Sequence, residues 1–234
     1  MPNFMIMVLA NEAEEAQLAP SDTKALLEGH AAYERKLRAA SAYVDGERLR
    51  PSAEGRRVRV RDGEAEVKAG PFAETALGGY YVVQAASLEA ATELARECPM
   101  APGTSLDVRP VMKGQFKPEK ASHKGRVFAF AVLGNAPNER AWIDVMDRID
   151  SSSDRAPNER SLGGVRLEAP GRGRRVTSTG GQRAIFDGPF LESKEVIGGV
   201  FFMRMTTLDE AVKWAKETAF VKLGAAEIRE LWRS

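Results

Sequence analysis

Cysteine is almost missing from this chain: Cys98 is the only one among 234 residues. A single thiol makes neither an intramolecular disulfide nor a cysteine-based zinc cluster. Cys98 stands before Pro99, where a helix is expected to end, and neither histidine is near it in sequence, so a packed thiol is expected rather than a nucleophile. Histidine is equally scarce. His30 and His123 have no ligand spacing, which excludes a recognisable transition-metal motif. Long apolar runs are lacking too. The opening stretch "FMIMVLA" has no basic segment before it and acids close behind it, a pattern that fails as a secretory signal. It reads as a first strand, and the expected location is cytoplasmic, without membrane attachment. Nor does one sign of charge dominate. Lys plus Arg number 34 against 33 Asp plus Glu, and a net charge of +1 gives no global attraction to nucleic acid or anionic lipid. Cofactor signatures are missing: there is no Walker loop, HExxH or G-x-S-x-G, and "GRGRRV" at 171–176 lacks the third glycine of a dinucleotide fingerprint. No cofactor is expected.

What the chain does have is a soluble globular composition, 43% hydrophobic and 29% charged, and enough length for one large domain or two small ones. It also has an internal repeat. "GERLRPSAEGRRVRVRDGEAEVKAGPFAET", from Gly46, overlays "GVRLEAPGRGRRVTSTGGQRAIFDGPFLES", from Gly164, at an offset of 118. Beyond it, "LGGYYVVQAASLEAATELARE" overlays "IGGVFFMRMTTLDEAVKWAKE" at an offset of 120. Two homologous units are therefore expected, residues 1–112 and 125–234, joined by a polar, Lys-rich linker at 113–124.

Each unit yields the same order of elements. "FMIMVLA" and "RVFAFAVLG" have the branching of central strands. Leu26, His30, Tyr33 and Leu37 fall on one face of a long helix capped at Ser21, whereas the matching helix near 139–149 is shorter and runs into a loop. In "RRVRVRDGEAEV", valines alternate with arginines up to an Asp62-Gly63 pair suited to a type I′ hairpin turn; "RRVTSTGGQRAIF" repeats it with Gly180-Gly181. A strand, a helix capped by Ser87 or Thr207 and a last strand follow. This is the split βαβ order of a ferredoxin-like α+β unit. The arginines at 57, 59 and 61 read as a solvated strand face rather than a nucleic-acid surface.

The heptad "AGPFAET" at 69–75 recurs as "DGPFLES" at 187–193, with Ala69 in place of Asp187. Glycine and proline pin the turn and phenylalanine anchors it. These motifs and the Arg/Val hairpin before them resemble the DGPF subgroup of the YCII-related proteins, members of the dimeric α/β-barrel superfamily. The resemblance implies two tandem ferredoxin-like units that pair through their sheets as an intramolecular dimeric α/β-barrel, a pseudo-dimer open to further oligomerisation. It also implies an acid/base dyad of a first-helix histidine, His30, and a loop aspartate, Asp187. The chain departs from that pattern in both halves, since the repeat with His30 carries Ala69 and the repeat with Asp187 offers no helix histidine. Either the two meet in one composite site or both are remnants.

Phe72, Glu74, Phe190, Glu192 and Tyr33 are the candidate ligand contacts around the GPF loops, and no metal ligands are expected. The functional expectation is a small-molecule binder with a partial or composite His/Asp site. Its rival is a non-catalytic regulatory or protein-interaction scaffold. No motif selects a reaction. The repeated "APNER" at 136–140 and 156–160 suits a turn leading into a helix.

Overall fold

A computed structural model describes every residue except 118–119, 121–124, 135–139, 145–146, 148–158, 190–195, 219–220, 222–223 and 233–234. The chain forms two compact units. Unit 1 comprises Met1–Arg48, Ala73–Val111 and Gly171–Phe190; unit 2 comprises Leu49–Phe72, Met112–Pro170 and Leu191–Ser234.

In unit 1, β1 (Asn3–Asn11) leads through a short helix α1 (Glu12–Glu15) to the long helix α2 (Pro20–Ala39) and β2 (Tyr43–Arg48). In unit 2 the first repeat continues with the hairpin β3 (Arg56–Arg61) and β4 (Glu64–Ala69). The chain then returns to unit 1 for β5 (Thr75–Gln84), α3 (Leu88–Arg96) and β6 (Ser105–Phe116), whose last residues, from Met112, fall in unit 2. The second repeat repeats the scheme with β7 (Val127–Gly134), β8 (Ser161–Leu167), the hairpin β9 (Arg174–Thr179) and β10 (Gln182–Asp187), β11 (Val196–Arg204), α4 (Leu208–Lys216) and β12 (Ala225–Glu230). Residues 140–144 and 147 are helical where the short second-repeat helix is expected, while most of the loop after it and of both APNER motifs lies outside the described residues, as does His123.

The sheet of unit 1 runs β2-β5-β1-β6-β9-β10 and that of unit 2 runs β8-β11-β7-β12-β3-β4, antiparallel throughout the registers given for them. The first four strands of each list have the ferredoxin-like order. The last two are a hairpin from the other repeat: β9–β10 extends the sheet of the first repeat and β3–β4 extends that of the second. The repeats are thus interlocked. The two tandem repeats fit the expected intramolecular pseudo-dimer, and within each unit the repeats meet edge to edge: a hairpin long enough to outreach its own sheet can continue the ladder of its neighbour and satisfy backbone groups that would otherwise form an open edge.

Matched sequence positions secure this exchange in both units. Val176 of β9 is fully buried in the unit 1 core with Phe4, Ile6, Leu37, Val83, Ala91 and Leu106. Val58 of β3 is fully buried in the unit 2 core with Phe128, Phe130, Val132, Ala211 and Ile228. Each such valine contributes about 1.5–3 kcal/mol. Beside each valine lies an arginine directly opposite an acid on the receiving strand: Arg175 opposite Asp107, and Arg57 opposite Glu227. Arg175 donates from Nε and Nη2 to the two oxygens of Asp107 at 2.6 and 3.0 Å. Arg57 donates from Nη2 to Glu227 Oε1. All four side chains are largely shielded, at 16% and 11% exposure in the first pair and 23% and 11% in the second. The solvated-face expectation fails for Arg57, since sequence alternation shows that it leaves the valine face without showing what covers the other side.

The hairpin turns form as expected. Asp62 and Gly63 take φ of 51° and 83°, and Gly180 and Gly181 take 57° and 80°, the pair of positive angles of a type I′ turn. Ser87 and Thr207 cap their helices by accepting from Ala90 N and Glu210 N. The cap at Ser21 is displaced. Ala19 is the N-cap and Pro20 opens the helix, where its missing N–H costs nothing because first-turn donors have no intrahelical partner. The expected linker at 113–124 begins as strand, because β6 continues to Phe116.

The twin glycines after each heptad produce a bulge. Val8 pairs with Gly79 and Leu9 with Leu77, leaving Gly78 as the extra residue; Gly198 is skipped likewise opposite Val132 and Leu133. A Cβ on Gly199 would lie 2.4 Å from Val165 O, so the adjacent strand can approach only a glycine.

Because one partner removed leaves a shielded charge uncompensated, Arg175→Ala is expected to lower the free energy of unfolding by about 3 kcal/mol. The apolar pair Arg175→Met with Asp107→Leu should recover most of that loss. Urea unfolding of the single and double variants measures both, and a single variant as stable as the parent would show that the pair does not hold the hairpin.

Candidate functional site

The GPF heptad closes the open end of each exchanged hairpin. Gly70 N donates to Gly55 O at 3.4 Å, and Gly188 N donates to Gly173 O at 2.9 Å. A Cβ on Gly70 would lie 1.9 Å from Ser52 O, so no other residue fits that turn. Both Gly-Pro bonds are cis. Phe72 lies under the Arg57 guanidinium, its ring centroid 4.9 Å from Cζ, and so roofs the arginine that holds the hairpin. Glu74 is exposed. Phe190 and Glu192 lie outside the described residues.

Asp187 ends β10 directly opposite Arg174, which donates from Nε to Asp187 Oδ1 at 2.8 Å. Arg174 also reaches Glu89 Oε1 of α3 at 3.1 Å. The Asp187 side chain is 81% exposed. In the first repeat the matched pair is Arg56 opposite Ala69, and Arg56 donates instead to Gly55 O. The alanine therefore removes a cross-strand ion pair at the rim of a hairpin.

The exchange carries Asp187 into the unit that holds His30, but no hydrogen bond or ion pair joins them among the described residues. His30 pairs with a tyrosine. The face of α2 predicted from spacing is the one that packs: Tyr33 and Leu37 are buried, with Leu26 and His30 half-buried. His30 Nδ1 lies 3.0 Å from Tyr81 Oη on β5, in a hydrogen bond, with the rings nearly parallel at 20°. With the Tyr81 hydroxyl donating, the ring proton sits on Nε2. Tyr33 meets Tyr81 edge-on, centroids 5.0 Å apart, and donates its own hydroxyl to Leu94 O at 2.9 Å, which ties it to the packing of α2 against α3.

Burial, and after it the positive charge of Arg48, lowers the His30 pKa to about 4, so the ring is neutral at pH 7. Burial likewise holds Tyr81 and Tyr33 well above the ordinary phenol range. Glu15, on α1, has its carboxyl raised chiefly by burial, an effect opposed by Arg48 and reinforced by Glu12. Arg48, at the exposed end of β2, thus acts on both His30 and Glu15. The result is a neutral hydrogen-bonded imidazole–phenol pair with one cation, Arg48, acting on the imidazole. Such a set can donate a hydrogen bond from Nε2 toward an acidic group. Cys98 is fully buried and its thiol is pushed up to about 12, chiefly by burial, which makes it inert packing.

Sequence reading places His30 and Tyr33 on the right face but misses Tyr81 as a partner and Arg48 as a neighbouring charge. Alternation in "GGYYVVQA" shows that Tyr80 and Tyr81 face opposite ways; it does not show which of them meets His30. Tyr80 takes the other face and donates to Asp45 Oδ2. An open hollow of unit 2 at the tip of the β3–β4 hairpin is lined by Val60, Asp62, Gly63, Ala65 and Lys216, with no aromatic ring. Among the described residues, no cluster of three or more His, Cys, Asp or Glu is placed to hold a metal, and no helix is long and apolar enough to cross a membrane.

Fold and motifs together define an α+β protein made of two tandem ferredoxin-like repeats with exchanged hairpins. The model of the YCII-related domain matches residues 4–115 and again 144–234, and the chain belongs to that family. Two solved structures are similar over 100% of this chain. One, provisionally assigned as a chlorite dismutase, has 10% identity, a TM-score of 0.37 and 96% of its own chain covered. The other, described as anthrone oxidase-like, has 9% identity, a TM-score of 0.43 and 92% covered. At those values the family rests on the YCII match alone. No curated protein matches the chain.

His30 ties stability to pH with a definite sign. Its pKa is lower in the folded chain, about 4, than the ordinary 6.5, so the unfolded chain binds the proton first as pH falls. The stabilisation is complete above about pH 6.5 and is lost progressively down to pH 4, on the order of 3 kcal/mol. His30→Gln is expected to flatten the acid limb of stability across that window in urea titrations. An NMR titration of the His30 ring with a midpoint near 6.5 would contradict the burial that defines this site.

Proposed function

We propose that the protein binds a small molecule beside α2 of unit 1 and holds it by a hydrogen bond donated from His30 Nε2. The observation that carries this reading is the hydrogen bond between His30 Nδ1 and Tyr81 Oη at 3.0 Å, made by an imidazole that burial keeps neutral. A neutral imidazole whose Nδ1 is engaged by a phenol can use Nε2 toward a ligand, and Tyr81 fixes the ring orientation that makes such a contact directional. Arg48 supports a ligand bearing an acidic group, since its charge already acts at His30 and Glu15. In this reading Tyr81 takes the part that the family resemblance gave to Asp187, and Asp187 keeps Arg174 in place over α3. Tyr33 shapes the wall through its edge-on contact with Tyr81 and does not touch the ligand with its hydroxyl.

A thermal-shift screen of small organic acids against the whole chain tests the proposal. A ligand present at about 100 times its dissociation constant should stabilise the protein by about 2.7 kcal/mol. That shift should vanish in His30→Gln and weaken in Tyr81→Phe. Full retention of the shift in both variants would move the site elsewhere and overturn the reading.

A further inference from the structure

The two units finish the junction between a hairpin tip and the end of the neighbouring helix in different ways. In unit 1, where α3 packs on β9, Arg183 of β10 is half-buried while the other residues of its strand are exposed. It donates from Nη2 to Cys98 O at 2.9 Å, just past the end of α3, and from Nη1 to Met100 Sδ. A guanidinium at that place meets the carbonyls that a helix end leaves without intrahelical partners, and the negative end of the helix dipole. A second cation at this junction, Arg96 in the last turn of α3, is held by Glu93 at 3.1 Å. Unit 1 thus satisfies its helix end with its own side chains.

Unit 2 keeps the backbone and changes the side chains. There α4 packs on β3, and Thr218 N donates to Ala215 O at 3.0 Å just as Cys98 N donates to Ala95 O at 3.0 Å. At the offset of 118, Arg183 is matched by Ala65 and Gly180 by Asp62, so an acid stands in the copy that lacks the arginine. At the offset of 120, Arg96 is matched by Lys216 and Glu93 by Lys213, so Lys216 lacks the acid that holds Arg96. Where the arginine is missing lies the open hollow of about 510 Å³ lined by Val60, Asp62, Gly63, Ala65 and Lys216. That volume falls within the roughly 300–1,000 Å³ of small-ligand sites. Among the described residues no side chain donates to Thr218 O, the counterpart of Cys98 O.

We propose that this hollow binds a small guanidino acid, a molecule with a guanidinium at one end and a carboxylate at the other. Its guanidinium takes the place that Arg183 occupies in unit 1, donating toward the carbonyl end of α4 with the Asp62 carboxylate beside it. Its methylenes lie on Val60 and Ala65, and its carboxylate pairs with Lys216, whose ammonium would repel a ligand that was purely cationic. The chain supplies its own template: one copy shows which group fits this junction, and the other leaves room for it. The site belongs wholly to unit 2 and is independent of the reading of His30 in unit 1. Because the hollow is open and its charges are exposed, binding is weak, with a dissociation constant on the order of 1 mM.

Amide NMR of the whole chain, titrated with γ-guanidinobutyrate, is the test. The amides of Val60, Gly63, Ala65 and Lys216 are expected to shift saturably, with butylguanidinium about tenfold weaker and butyrate without effect. Lys216→Met should bring γ-guanidinobutyrate down to the level of butylguanidinium, because only the carboxylate loses its partner. Asp62→Asn keeps a residue that tolerates the positive φ of the turn and should weaken both guanidinium probes. Ala65→Arg rebuilds in unit 2 the side chain of unit 1 and should abolish binding in a protein that is folded by circular dichroism. The proposal is overturned by the absence of saturable shifts up to about 10 mM probe, or by undiminished binding to a folded Ala65→Arg variant. It is overturned equally by butyrate binding as well as γ-guanidinobutyrate, or by a Lys216→Met variant that still prefers the acid to butylguanidinium.

Discussion

Two cross-strand pairs, Arg175 with Asp107 and Arg57 with Glu227, hold the structure in its interlocked form. Each joins a hairpin of one repeat to the last strand of the other, and each is shielded from water, Arg57 by the ring of Phe72. A guanidinium facing a carboxylate in low dielectric is directional and costly to break. The buried valine next to each arginine supplies most of the burial free energy, and the ion pair fixes the register. A slip of one residue would turn Val176 or Val58 out of its core and leave an arginine facing the wrong partner.

The GPF heptad takes its meaning from that constraint. Its glycine fits where only a backbone without Cβ can pass Ser52, its proline sets the turn, and its phenylalanine covers Arg57. The heptad recurs because the hairpin recurs, and in both copies the end of the hairpin must be closed before the chain re-enters its own sheet. The replacement of Asp187 by Ala69 costs an exposed ion pair with an arginine, while the glycine of each copy still donates back across the end of its hairpin. The face of α2 is a separate matter. There Tyr81 engages His30 from the strand that follows the hairpin, so this pair depends on β5 being in place.

Much of the fold was legible in the residues. The constant offsets of 118 and 120 required two copies of one unit, the alternation in "RRVRV" and "RRVTST" required strands, the Asp62-Gly63 and Gly180-Gly181 pairs required tight turns, and Ser87 and Thr207 marked helix starts. These are short-range signals, written in φ angles, capping side chains and two-residue periodicity, and local chemistry is enough to set them. His30, Tyr33 and Leu37 fell on one helix face for the same reason. Charge in the arginine rows was legible, but its destination was not, since an arginine facing water and one facing a carboxylate on another strand leave the same pattern in sequence.

By itself, then, the sequence determined a duplicated α+β unit, its turns and caps, the pinned shape of the GPF loop and the presence of one histidine on the inner face of a long helix. Tertiary structure alone decided that each hairpin completes the other repeat's sheet, that Arg175 and Arg57 find Asp107 and Glu227, and that His30 meets Tyr81 while Asp187 meets Arg174. The physical reason is range. Backbone angles and side-chain periodicity are settled within a few residues, whereas hydrogen bonds between groups 51, 68 or 170 positions apart exist only once the chain has chosen which edges to join.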